Sequence, residues 1–140
     1  MILYCNYEEL TALNQGARAF LDEDSWEERG VAATTPSREA VQALVPQLEG
    51  DVSIETLQEQ RKIQSAVEVI VDQLREELET RVVTTHAADE EAVAAYFDFA
   101  HALSVLERVR EIGDEMRALI EVMTGDEPTA DLEREFRFPD

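Results

Sequence analysis

Residues 53–83 read SIETLQEQRKIQSAVEVIVDQLREELETRVV, and residues 89–124 read DEEAVAAYFDFAHALSVLERVREIGDEMRALIEVMT. In both stretches apolar residues recur every three or four positions, which places them in one stripe of a 3.6-residue helix. The stripe of the first stretch consists of Leu57, Ile63, Val67, Ile70, Val71, Leu74, Leu78 and Val82. Residues 84–88 separate the two patterns, and so short a connection favours antiparallel helices. The sequence therefore predicts an all-α fold, a helical bundle built on a long antiparallel helix hairpin with two short N-terminal helices.

Capping signals predict where the two long helices begin and end. Ser53 is suited to be the N-cap of the first helix, and Glu55 places a carboxylate in the first turn, where it favours the helix dipole. Asp89 is the corresponding N-cap of the second helix, which continues without proline to Thr124. Gly125 then supplies a C-terminal stop.

The apolar stripe of the second long helix changes face along its length. Its members, in order, are Val93, Tyr96, Phe99, Ala100, Leu103, Leu106, Val109, Ile112, Met116, Leu119, Ile120 and Met123. The steps of three from Leu106 to Ile112 each turn the stripe back by about 60°, so that its last members lie roughly opposite to its first. Either the helix bends near Gly113, where helix propensity is weakest, or its halves contact different partners. Those partners would be the N-terminal helices for one half and a second copy of the chain for the other.

Two short helices are predicted before the hairpin. Asn6 can cap a helix over residues 7–21, with Glu9 at its third position in a capping-box arrangement. The Thr-Pro pair at residues 35–36 is a typical start for the next helix. Pro46 removes one backbone hydrogen bond and should kink or shorten that helix.

The segments outside these helices hold several aromatic side chains. Trp26 lies in the acidic loop 22–35, where we expect it to fold back on the core, with a binding role as the alternative. Thr129 can cap a short helix in the C-terminal tail, and Phe136 and Phe138 follow it. Two phenylalanines in an otherwise polar terminus indicate docking, either on the bundle or on a neighbouring molecule.

Length and composition favour a simple organisation. A chain of 140 residues is most simply one domain, and we predict a helical domain over 1–125 and a tail over 126–140. The single cysteine, Cys5, excludes an intrachain disulfide framework. The apolar segment 1–5 is too short for a targeting sequence, so we expect a buried strand-like arm, and the whole sequence contains no long apolar run. These features predict a soluble cytoplasmic protein that does not bind membranes.

The charge balance is strongly acidic. The chain has 32 acidic and 12 basic residues, which gives a formal net charge of −20, and Lys62 is its one lysine. This balance argues against a protein that binds nucleic acids or anionic membranes directly. It leaves an acidic solvated surface, typical of a high-GC or salt-adapted source, mimicry of a nucleic-acid backbone, or docking on a basic partner.

The sequence contains one pattern that resembles a metal site. Asp98 and His101 are spaced i,i+3, whereas carboxylate-bridged di-iron bundles use Glu-x-x-His from two helices together with further inward carboxylates. A local pair on the helix surface is therefore the favoured interpretation. The sequence has no Gly-rich phosphate loop, zinc-ligand spacing or nucleophile elbow, so we expect no cofactor and no enzymatic activity.

These observations favour a non-enzymatic protein–protein interaction or assembly module that acts with a protein partner and forms a symmetric homodimer through the region Val109 to Met123. The alternatives are an acidic nucleic-acid mimic that inhibits a nucleic-acid-binding protein and, with less support, a carboxylate-rich metal-binding bundle assembled across a dimer. The candidate partner-binding residues are Trp26, Val109, Ile112, Met116, Phe136 and Phe138.

Overall fold

The structure is a computed structural model that describes residues 1–22, 35–85 and 89–139. Helices account for 79% of the described residues, which confirms the predicted all-α bundle. In chain order the elements are β1 (Ile2–Leu3), α1 (Tyr7–Leu21), α2 (Thr35–Leu44), β2 (Val52–Ser53), α3 (Leu57–Thr85), α4 (Glu90–Thr124) and α5 (Ala130–Glu135).

Helices α3 and α4 form the predicted antiparallel hairpin. Near the connection, Arg81 Nη1 lies 2.7 Å from Glu91 Oε2. At the other end, the Nε2 group of Gln60, in the first turn of α3, donates a hydrogen bond of 2.9 Å to the carbonyl oxygen of Val109 in α4. Together these contacts fix the direction and the register of the two helices.

Both ends of α4 lie where the sequence predicts them. The side chain of Asp89 accepts a hydrogen bond of 2.8 Å from the Ala92 backbone N–H, which caps the start of the helix. Gly125 ends α4 with a φ of 77°, a left-handed conformation that glycine adopts without a Cβ penalty. Its N–H donates to the Glu121 carbonyl and so satisfies one of the last carbonyls of the helix.

The prediction that Ser53 caps α3 is wrong. Val52 and Ser53 form β2, which pairs antiparallel with β1 through Ile2↔Ser53 and Leu3↔Val52. The helix begins later, and the buried Thr56 Oγ1 accepts a hydrogen bond of 3.1 Å from the Glu59 N–H. The physical reason is that the chain before Ile54 is extended by its pairing with β1, which supplies the predicted strand-like arm.

The two N-terminal helices pack on the hairpin. Asn6 and Glu9 form the predicted capping box at the start of α1, and this helix packs against both α3 and α4. Gly16 allows α1 to approach α3 closely, because a Cβ there would lie 2.6 Å from Ile70 Cγ2. Helix α2 packs on α3 and gives way to a 3₁₀ turn at Val45–Gln47, as expected from the proline at position 46.

The hydrophobic core extends over all of these elements and includes the C-terminal segment. After α5, the Phe138 N–H donates a hydrogen bond of 2.7 Å to the Glu55 carbonyl, and the Phe138 side chain is 6% exposed. The Phe136 and Phe138 rings contact each other, with centroids 5.0 Å apart. The sequence predicts that these phenylalanines dock either on the bundle or on a neighbouring molecule, and in the structure they dock on the bundle.

From Phe99 to Ile120 the members of the changing stripe of α4 are buried or half-buried within the chain. The helix continues without interruption through Gly113, and a Cβ at that position would lie 2.5 Å from Gln60 Nε2. Met116 and Ile120 are fully buried in the core that also contains Phe138. Both halves of α4 contact α3, through Glu91 in one half and through Val109 and Gly113 in the other. Burial of Met116 and Ile120 does not require a second copy of the chain.

Candidate protein-interaction surface

The structure places most of the predicted partner-binding residues inside the chain. Val109 and Met116 are fully buried, and Phe138 is nearly so. Ile112 and Phe136 are half-buried and pack against the same core. These five side chains therefore pack within the bundle and do not form an exposed surface in the folded chain. Their binding to a partner stays a prediction.

Of the remaining residues that the sequence proposes for a partner surface, Trp26 lies outside the described residues. Met123, at the end of the predicted dimer surface, is exposed together with Val122, which is 81% exposed. The last turn of α4 is thus all that remains exposed of the apolar surface predicted for self-association.

Large exposed apolar side chains instead collect at the connected end of the hairpin. We call Val82, Val83, Val93, Tyr96 and Phe97 the tip patch. Val83 is 69% exposed, and Tyr96 and Phe97 are each 54% exposed. The first two belong to the last turn of α3 and the other three to the first turns of α4. The antiparallel register therefore brings them to the same end of the molecule.

The tip patch is exposed because the apolar stripe of α3 extends past the helices that cover it. Leu74 is buried against α1 near Gly16, Leu78 is half-buried and Val82 is 51% exposed. Helix α1 ends at Leu21. The described part of the chain thus leaves the last two turns of α3 only partly covered.

On α4 the patch lies on the side turned away from the core. Val93, Tyr96 and Phe97 follow the i, i+3, i+4 spacing of one helix face. At about 100° per residue, each of them points at least roughly 120° away from the buried Ala102. The Tyr96 and Phe97 rings contact each other edge to face, with centroids 5.7 Å apart. This pair forms a preformed aromatic surface rather than a loose side chain.

The same outer face of α4 becomes acidic toward its C-terminal half. Glu107, Glu111 and Glu115 are exposed and follow Val93 and Phe97 on this face at steps of three and four residues. Consecutive glutamates of this row, which we call the acidic row, rise by about 6 Å along the helix. The outer face therefore has an apolar half and an acidic half.

Nearby arginines do not neutralise the acidic row. Arg108 forms an ion pair with the buried Glu9, and Arg110 Nη2 lies 3.6 Å from Glu68 Oε1. Arg117 Nη1 lies 3.1 Å from Asp114 Oδ1. Among the residues that the structure describes, no ion pair involves the three glutamates of the acidic row.

The Asp98 and His101 pair does not extend to a metal centre. Both side chains are half-buried. Burial raises the pKa of Asp98, the charge of His101 lowers it, and Glu77 raises it further. Within residues 1–22, 35–85 and 89–139, no group of three or more His, Cys, Asp and Glu side chains is placed to hold a metal ion.

Cys5 is not a prepared nucleophile. Burial raises the pKa of its thiol to about 11, although the guanidinium of Arg108 acts in the opposite direction. The nearby carboxylates of Glu9 and Asp51 raise the pKa further. A thiol with this pKa is almost wholly protonated at neutral pH, and the thiolate is the reactive form.

Comparisons with known proteins assign no relative to this chain. No protein-family model matches it, and the searches of curated proteins and of solved structures found no similar chain. The helices in the described part of the chain include none that is long and apolar enough to cross a bilayer. The tip patch and the acidic row are thus the features on which a functional proposal can rest.

Proposed function

We propose that the protein is a non-enzymatic interaction module that binds another protein through the tip patch. The observation that carries this proposal is the group of five exposed hydrophobic side chains at one end of the hairpin. Contiguous apolar patches on soluble proteins often mark interaction sites. Tyrosine is among the residues enriched at the energetic centres of protein interfaces.

The surroundings of the patch support a defined binding surface. The Arg75 guanidinium lies over the Phe99 ring, 5.6 Å from its centroid, at the edge where α3 and α4 meet. Phe99 is half-buried and packs against the core. A partner would therefore meet the Tyr96 and Phe97 rings on a part of α4 that Phe99 anchors to the bundle.

A nucleic-acid mimic is the second candidate function, favoured by the acidic row. In that case affinity would reside in ion pairs between glutamates and a basic groove, and exposed charges are screened over about 8 Å at physiological ionic strength. Binding would then fall steeply with salt. It would also be largely independent of Phe97.

The homodimer and the cytoplasmic location expected from the sequence stay predictions. Among the described residues, the large exposed apolar side chains open to a second copy are those of the tip patch together with Tyr4, Tyr7, Val122 and Met123. Because the formal charge is −20, any two copies also repel each other. We therefore favour a partner of different sequence.

The test is retention of a partner from a lysate of the native host by the immobilised full chain and by two variants. Phe97→Asp places a charge in the tip patch, whereas Val122→Asp is a matched control on the same helix, far from the tip. We expect the wild type and Val122→Asp to retain the same protein in half-molar salt. Phe97→Asp should weaken binding by about 30-fold or more, as for a central aromatic contact.

Two outcomes would contradict the proposal. Equal retention by Phe97→Asp, with its helical circular dichroism unchanged, would remove the tip patch as the binding surface. Recovery of a nucleic-acid-binding protein that elutes at modest salt from both variants would favour the acidic mimic.

A further inference from the structure

We infer that the outer face of α4 binds an amphipathic helix of another protein, with apolar residues on the tip patch and basic residues on the acidic row. This inference rests on the proposed function and adds the chemistry of the partner. It follows from the arrangement of two different surfaces along one exposed helix face.

The two surfaces are continuous along α4. Between Phe97 and Glu107 the same face carries only the small side chains of Ala100, which is half-buried, and Ser104, which is exposed. Small residues at a contact allow two helix axes to approach each other more closely, since interaxial distance depends on the side chains between them. From Val93 to Glu115 the face is about 33 Å long. A partner helix of roughly 22 residues matches this length.

The acidic row determines the charge of the partner. Its three glutamates repel each other at i,i+4 spacing and have no ion-pair partner among the described residues. A neutral helix that covered this half of the face would remove water from the glutamate carboxylates without supplying positive charge in its place, which is unfavourable. Lysine or arginine side chains on the partner would supply the missing charges and fix its orientation.

A second copy of the chain fits this face poorly. An antiparallel copy centred at Ala95 would place Val93 of one copy opposite Phe97 of the other. Glu107 would then lie about 18 Å from the centre, beyond the Asp89 cap of the opposing helix at about 9 Å, so the acidic row would stay without a counter-charge. A parallel copy would place each glutamate of the acidic row opposite itself. Neither arrangement supplies positive charge to the acidic row, whereas a basic helix does.

A displayed library of 22-residue helical peptides, panned on the full chain, tests the inference. We expect enrichment of peptides with apolar residues at i, i+3 and i+4 in one half and Lys or Arg in the other. Dissociation constants of selected peptides would be measured by fluorescence anisotropy in about 0.1 M salt. Phe97→Asp, with Tyr96→Ser as a second variant, should weaken binding by about 30-fold or more.

The variant specific to this inference replaces Glu107, Glu111 and Glu115 together by Gln. It should weaken peptide binding by about tenfold, because it removes three exposed ion pairs that each contribute modestly to affinity. Val122→Asp is the control and should leave the dissociation constant unchanged.

The outcomes separate the inference from the proposed function. Peptides that need Phe97 but show no basic half, and bind the triple Gln variant as tightly as the wild type, would overturn the inference and leave the proposed function in place. Peptide binding that ignores Phe97→Asp and Tyr96→Ser would overturn both. A dimer in sedimentation velocity that Phe97→Asp dissociates would assign the face to a second copy and overturn the inference.

Discussion

Replacing Gly113 by Ala tests why glycine stands in the middle of α4. By helix propensity alone the change should stabilise the protein, since alanine is favoured over glycine by about 1 kcal/mol in a helix interior. In the structure, however, the new Cβ would lie 2.5 Å from Nε2, 2.7 Å from Cδ and 2.9 Å from Oε1 of Gln60. The Gln60 side chain is fully buried, so it can move away from the new Cβ only by displacing its neighbours in the core.

The expected loss of stability comes from the hydrogen bonds of the Gln60 side chain, which the new Cβ disturbs. Its Nε2 group donates hydrogen bonds of 2.9 Å to the Val109 carbonyl and to Gln64 Oε1. Losing one of them costs about 1 kcal/mol, and overpacking a core costs about 1 to 3 kcal/mol. The gain in helix propensity offsets about 1 kcal/mol of these costs. We therefore predict that Gly113→Ala lowers the free energy of unfolding by about 2 kcal/mol. For a chain of this length the melting temperature should fall by about 4 to 8 °C.

A double-mutant cycle with Gln60→Ala makes the prediction specific. Gln60→Ala removes the three atoms nearest to the new Cβ. In that background Gly113→Ala should stabilise the protein by about 1 kcal/mol, giving a coupling energy of about 3 kcal/mol. Urea unfolding followed by circular dichroism measures all four proteins. Gly50→Ala is the control, because no atom lies within 4 Å of its added Cβ. Stabilisation by Gly113→Ala in both backgrounds would refute the close contact with Gln60.

Three further predictions concern the residues around β1 and the C-terminal segment. Glu9→Ala should lower the free energy of unfolding by about 2 to 3 kcal/mol, since it removes a capping box and leaves Arg108 without its carboxylate. The control is Glu8→Ala, at an exposed position, which should change the free energy of unfolding by less than about 0.5 kcal/mol. Phe138→Ala should cost about 3 to 5 kcal/mol in urea unfolding, as for a core phenylalanine, and a loss of partner binding without a loss of stability would contradict its burial. The pKa of Cys5 is about 11 in the folded protein, against 9.0 for an ordinary thiol. Because folding favours the protonated thiol, the stability that Cys5 contributes is complete below about pH 9 and is lost between about pH 9 and 11. Unfolding measured across this range should show the loss in the wild type and not in Cys5→Ala, and native Cys5 should react with a maleimide more slowly than in urea.

The parts of the fold that the sequence predicts correctly depend on local signals. The start of α1 is encoded within four residues, because Asn6 and Glu9 satisfy each other's backbone N–H groups. Asp89 and Gly125 likewise mark the ends of α4 by chemistry that involves only the adjacent turn. Ser53 fails as a cap because pairing with β1, which lies far away in the sequence, keeps it in an extended strand. A propensity for capping does not contain that information.

The candidate site could not be predicted in the same way. Periodicity shows that α4 has apolar residues on more than one face, but not which of them the chain covers. The structure buries Val109 and Met116 and exposes Val93 and Phe97, the reverse of what the predicted dimer surface requires. A local signal was nevertheless present, since Phe97 lies four residues after Val93 on a face that contributes little to the hairpin contact. Only the positions of α1 and of the C-terminal segment decide which surface stays open.

The apolar stripe of α3 supports the proposed binding role of the tip patch. Burial at Leu74 is followed by partial exposure at Leu78 and by exposure at Val82, so the last two turns add little to the stability of the bundle. Exposed apolar side chains also favour aggregation when nothing covers them. The formal charge of −20 opposes association between copies, but it does not oppose a basic partner. We therefore expect the proposed partner to combine an apolar surface with positive charge.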